Sequence, residues 1–233
     1  MLILASVVTL SACASSISNT NSASPQATFS PATATATVTP SSATTPSPAP
    51  AILSSAPSQL EARAIGTLTN GEILIAPKTM EIVEQLGAPS CLGKSEDYSI
   101  KSDYEAIFKD STGKKTTIVL PEIDTFITSE NKQLTLPTLH FKDFQAVVLA
   151  PRYTDCHGIE FYLIGTKGSA AFSFKFKTDE GTFDSFNYAP NTQLQVMDDQ
   201  LVIEPGQSAG SEAKKQRIFK PDWQNQTMQL VKS

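Results

Sequence analysis

The feature that most constrains this chain is a gap in its charge: no Asp, Glu, Lys or Arg precedes Glu61. All 18 basic and 23 acidic residues fall after that point, at the density of an ordinary globular domain. A packed fold is therefore expected only from about Leu60 onward, as one β-rich domain over residues 60–233. A domain of about 170 residues buries close to 70% of its unfolded surface, so stability alone calls for no metal or cofactor, and none is predicted. The net charge of −5 and the lack of any basic cluster beyond Lys114-Lys115 and Lys214-Lys215 argue against nucleic acid as a partner.

Residues 14–58 are almost wholly Ser, Thr, Ala and Pro, with seven prolines and no glycine. Too little apolar surface is available there to offset the entropy of folding, so residues 13–59 read as a disordered linker or stalk. Its reach is on the order of 140 Å as polyproline II and about 40 Å as a coil. The Ser/Thr/Pro density also suits O-glycosylation.

Ahead of the stalk, Leu2 to Leu10 form an apolar run of signal-peptide length, too short to span a bilayer. Leu10-Ser11-Ala12-Cys13 follows, and it resembles the lipobox of bacterial lipoproteins. The resemblance implies cleavage after residue 12 and a diacylglyceryl group on the Cys13 thiol, the partner being membrane lipid. Two acyl chains suffice for stable anchoring. It further implies an extracytoplasmic address on the cell membrane, or on the outer membrane if there is one.

Within the domain, Asn70-Gly71 between two apolar runs predicts a hairpin. Met80, Ile82, Val83 and Leu86 at helical spacing, with Gly87 and Pro89 beyond, predict one short α-helix near 78–86. Leu86-Gly87-Ala88-Pro89 before the aromatic stretch at Tyr98 and Tyr104 is similar to a helix-LGxP-strand unit of small envelope lipoprotein domains. Strands are expected at 104–109, 116–120, 125–128, 145–150, 159–164, 194–197, 200–203, 216–220 and 228–231. Phe172, Phe174 and Phe176 alternate with Ser173, Lys175 and Lys177, which puts the phenylalanines on a core face. The fold class is mainly β, built as a sandwich, open barrel or propeller-like set of antiparallel sheets.

With Cys13 assigned to lipid, Cys91 and Cys156 remain, and a disulfide between them is predicted. A metal or thiol-imidazole site at Cys156, His157 and His140 or Asp155 is disfavoured, because neighbours on a strand point apart and no close cysteine pair exists. Gly206-Gln207-Ser208-Ala209-Gly210 matches the nucleophile elbow, yet no histidine follows Ser208 to complete that order. Chymotrypsin order, with His140 or His157 first, leaves too little chain for a double-barrel protease. The acids of Thr178–Asp184 lack calcium-loop spacing and read as a hairpin turn, and Asp198-Asp199 read as turn residues ahead of Glu204.

No catalytic or metal set is thus assigned. The candidate functional loop is Arg152, Tyr153, Asp155 and His157, the densest polar group between two apolar strands. The expected function is a non-enzymatic surface lipoprotein whose domain binds an envelope polymer, a small ligand or a protein. The alternatives are an extracytoplasmic hydrolase using Ser208 or an acid pair, and a chaperone or inhibitor of an envelope protein.

Overall fold

The structure is a computed structural model that describes residues 61–206 and 215–232. The leader, Cys13, the Ser/Thr/Ala/Pro segment and Ser208 lie outside the described residues. Within them the regular elements are strands: β1 Ala64–Leu68, β2 Gly71–Pro77, β3 Ile82–Gln85, β4 Tyr98–Lys101, β5 Tyr104–Asp110, β6 Lys115–Ile118. There follow β7 Thr125–Thr128, β8 Leu134–Thr135, β9 Thr138–His140, β10 Gln145–Leu149, β11 Ile159–Lys167, β12 Ala170–Thr178. The last are β13 Gly181–Phe183, β14 Phe186–Tyr188, β15 Gln195–Met197, β16 Gln200–Ile203, β17 Arg217–Asp222 and β18 Thr227–Lys232.

The strands form three sheets, ordered β6-β5-β2-β1-β8, β3-β4-β7, and β15-β16-β17-β18-β12-β11-β10-β9, with β13 and β14 added to β12 and β11. Pairing is antiparallel except for β1 with β8 and β12 with β18. The longest sheet curls until its ends, β15 and β9, come together as a nearly closed barrel. At that seam the Lys142 N–H donates to the Asp199 carboxylate at 2.6 Å.

Two apolar cores result, and β10 and β11 are the wall between them. Ala146, Val148, Phe161 and Leu163 face the barrel interior with Phe174, Phe176 and Phe219. Val147, Leu149, Tyr162 and Ile164 point the other way, against Ile73, Ile75, Ile100 and Phe126 of the two smaller sheets. A strand buried on both faces needs apolar residues at every position, so β10 and most of β11 read as continuous runs, without alternation. The phenylalanines of β12 take the expected side: Phe174 and Phe176 are fully buried and Phe172 packs beside them.

The helix expected near 78–86 is not there; β3 takes its place. Backbone hydrogen bonds decide this. Ile82 to Gln85 pair with Lys101 to Tyr98, while the Leu86 and Gly87 N–H groups donate across to Asp97 and Ser95 carbonyls. Val83 alone enters the core; Ile82 is 53% exposed and Met80 62%. Just before β3, Glu81 is bound by the buried Arg63 guanidinium and by the Tyr104 hydroxyl, which fixes the segment from outside itself. Apolar spacing that fits a helix was overridden by a neighbouring sheet edge. Leu86–Pro89 is consequently a connection between strands, with Gly87 in the left-handed region at φ 73°.

The first hairpin forms one residue earlier than Asn70-Gly71 suggests. Leu68 pairs with Gly71, leaving Thr69-Asn70 as the turn. Gly71 serves a different purpose: any Cβ there would collide with the Lys109 carbonyl on β5. Asp198 and Asp199 form a tight turn between β15 and β16, both with positive φ (50° and 60°). This suits Asp, whose short side chain tolerates that region.

Candidate functional site

The polar loop after β10 is held from three sides. The disulfide Cys91–Cys156 ties it to the β3–β4 connection, with Cα atoms 4.9 Å apart and 65 positions between them in the chain. Beside the bridge the Tyr153 hydroxyl donates to the buried carboxylate of Asp97 at 2.5 Å, and the Lys94 N–H reaches the same oxygen at 2.7 Å. That hydrogen bond, then burial, pushes the Tyr153 hydroxyl up to about 12. On the third side Gly158 meets Gly206 backbone to backbone. A Cβ on Gly206 would strike the His157 carbonyl and the Gly158 Cα. Gly206 thus allows a close approach of two chain segments.

Of the four residues expected to form a functional surface, three are engaged in building the loop. Arg152 bonds Asp155 at 3.1 Å and approaches Glu160 at 3.7 Å. Asp155 also accepts the His157 N–H at 2.9 Å. Tyr153, beyond its bond to Asp97, faces a shallow hollow of about 230 Å³ near Ser129 and Ala150. Of the four, only His157 also borders a second, roomier depression. Its imidazole is 62% exposed and Nδ1 lies 3.8 Å from Asp155.

That depression is an open groove of about 670 Å³ at one end of the barrel. Its sides come from the β12–β13 turn, β13, β14 and the first residue of β17. Phe183, Phe186, Asn187, Glu180, Asp184 and Arg217 border it. The Arg217 guanidinium stands 5.4 Å from the Phe186 ring centroid, within cation–π range. Phe183 is 42% exposed. Asp184 pairs with Lys175 at 3.2 Å, and the Ser185 hydroxyl donates to Glu160 at 2.7 Å. Charges of both signs thus border one trough, while the Phe186 ring packs inward on Phe176 and Phe219 of the barrel core. The base is firm: Tyr162, lining it from β11, is buried, and burial raises its hydroxyl.

Sequence reasoning missed Phe183, Phe186, Asn187 and Arg217. Phe183 and Phe186 close to the acids of Thr178–Asp184 were a usable signal, but Arg217 is about 30 positions away and only the barrel brings it there. The acidic stretch itself is the expected turn: Thr178 pairs with Gly181, and the Glu180 N–H donates to the Thr178 hydroxyl. His140, on β9, is paired with Gln145 at 2.8 Å, far along the barrel wall from the groove. Among the described residues, no three His, Cys, Asp or Glu side chains converge as a metal site. Compared with protein-family models, with curated proteins and with solved structures, the chain matches none.

Proposed function

We propose that this chain is a lipid-anchored lipoprotein whose Ser/Thr/Ala/Pro-rich stalk displays a β-barrel binding domain on the outer side of a membrane. The groove of about 670 Å³ beside His157 is the observation that carries the binding role. It is large enough for an extended ligand, and its walls are set by paired strands and a disulfide-held loop, which lowers the ordering cost of binding. The anchor rests on Leu10-Ser11-Ala12-Cys13 and the apolar run before it.

The full chain carrying Cys13→Ala, prepared without its anchor, tests both halves. Cell fractionation should find it released from membranes, and unchanged attachment would refute the anchor. Thermal unfolding against cell-wall fragments, small ligands and proteins tests the domain. A ligand at 100 times its Kd adds about 2.7 kcal/mol, a rise of roughly 5–10 °C. A rise that Asn187→Ala and Arg217→Ala abolish supports the groove; one insensitive to both removes it.

A further inference from the structure

The hollow beside Tyr153 is separate from the groove, and its hydrogen bonds limit what can fill it. The Thr128 hydroxyl donates to the Glu130 carbonyl at 2.7 Å, and the Tyr153 hydroxyl donates to Asp97. On the rim Glu130 and Lys132 pair with each other at 2.7 Å, and the Gln133 amide donates to the Ala62 carbonyl at 2.8 Å. A polar or charged ligand would find few groups left to bind it, whereas an apolar one leaves these bonds intact. What the hollow still offers is apolar: Ile127, Leu134, Ala150 and the ring of Tyr153, a residue 45% exposed although its hydroxyl is bonded. At about 230 Å³ it falls below the range of about 300–1,000 Å³ usual for small-molecule sites. One or two aliphatic side chains suit it.

The chain itself carries such side chains to the edge of the hollow. We propose that Ile52 and Leu53 dock there, so that the residues just ahead of the domain are a fixed root for the linker. Ala62 is held by Gln133, while Arg63 accepts the Leu134 N–H at 2.9 Å and donates to the Lys132 carbonyl at 3.0 Å. Lys132, Gln133 and Leu134 all line the hollow, so the chain enters the domain beside it. Leu53 stands nine residues before Ala62, up to about 30 Å of extended chain, which covers the distance with slack. Between Ala14 and Gln59 the branched aliphatic residues are Ile17, Val38, Ile52 and Leu53, and Ile52-Leu53 is the one adjacent pair. No charge precedes Glu61, so the segment crosses the rim without opposing Glu130 or Lys132. A tether this short holds the pair at an effective concentration on the order of millimolar, so modest burial is enough to dock it.

Nuclear magnetic resonance of the full Cys13→Ala chain tests this. Cross-peaks between the Leu53 methyl groups and the Tyr153 ring are expected. Ile52→Ser with Leu53→Ser, both ahead of the domain, should remove them, shift the amides of Leu134 and Ala150, and lower the melting temperature by roughly 2–4 °C. Val38→Ser, farther from the domain, should change none of these. Absent cross-peaks, with Leu134 and Ala150 unmoved by the double substitution, overturn the proposal. Cross-peaks that fade on dilution show a second copy in the hollow and overturn docking within one chain. If Val38→Ser moves the amides of the hollow, another part of the chain fills it and the assignment to Ile52 and Leu53 falls.

Discussion

Gly158 and Gly206 touch through their backbones, so their value lies in the side chains they lack. Gly206→Ala should cost about 2 kcal/mol or more by denaturant unfolding, because the methyl group must displace main chain and not a flexible side chain. Gly87→Ala is the control: open space surrounds it, and only the left-handed backbone is strained, at about 1 kcal/mol. Tyr153 makes a pH prediction. Its folded pKa of about 12 lies above the unfolded value of about 10, so its contribution is complete below pH 10. It is lost as pH rises from roughly 10 to 12. Melting temperatures across that window should fall less steeply in Tyr153→Phe than in the native chain. At this scale the sequence was legible where a residue's chemistry acts locally, as at Asp198-Asp199 in their turn. It was opaque at Gly206, whose partner lies about 50 positions away.

Among the elements, β3 and the disulfide loop have the clearest consequences. A strand at Ile82–Gln85 with only Val83 inward predicts that Val83→Ala costs about 2 kcal/mol, while Ile82→Ala and Met80→Ala stay within about 0.5 kcal/mol. A helix would have buried all three, so unfolding of these variants distinguishes the two forms directly. Removing Cys91–Cys156 by a double Cys→Ser change frees a 65-position separation. The chain-entropy cost is about 4 kcal/mol at most, which corresponds to a fall of roughly 10 °C in melting temperature. The Tyr153–Asp97 bond should keep the loop partly in place, so Tyr153→Phe added to the cysteine pair should cost more than it does alone. The longer strands from β5 onward were legible because turn residues punctuate them, whereas the short β8, β9, β13 and β14 were not anticipated. The helix was misread because four apolar residues in seven positions suit a helix as well as a strand beside an edge.

For the whole molecule, the wall formed by β10 and β11 binds the two cores into one cooperative unit. Leu163→Ala empties space in the barrel and Ile164→Ala in the other core, yet each should lower a single, shared transition. Trp223 fluorescence, reporting the barrel end where it packs on Phe144 and Phe172, should track far-UV circular dichroism through unfolding. Two separated midpoints would show that the cores unfold independently. The sequence by itself determined the mainly β class, the expectation of a Cys91–Cys156 bridge and the core face of β12. These follow from alternation, turn chemistry and cysteine count, all of which act over short stretches or by elimination. Only the tertiary structure decided that one pair of strands would serve two cores and that β3 would be extended. It alone placed His157, Phe183, Asn187 and Arg217 around one groove. The physical reason is that sheet pairing joins residues without regard to their separation along the chain, and no local pattern records which edges will meet.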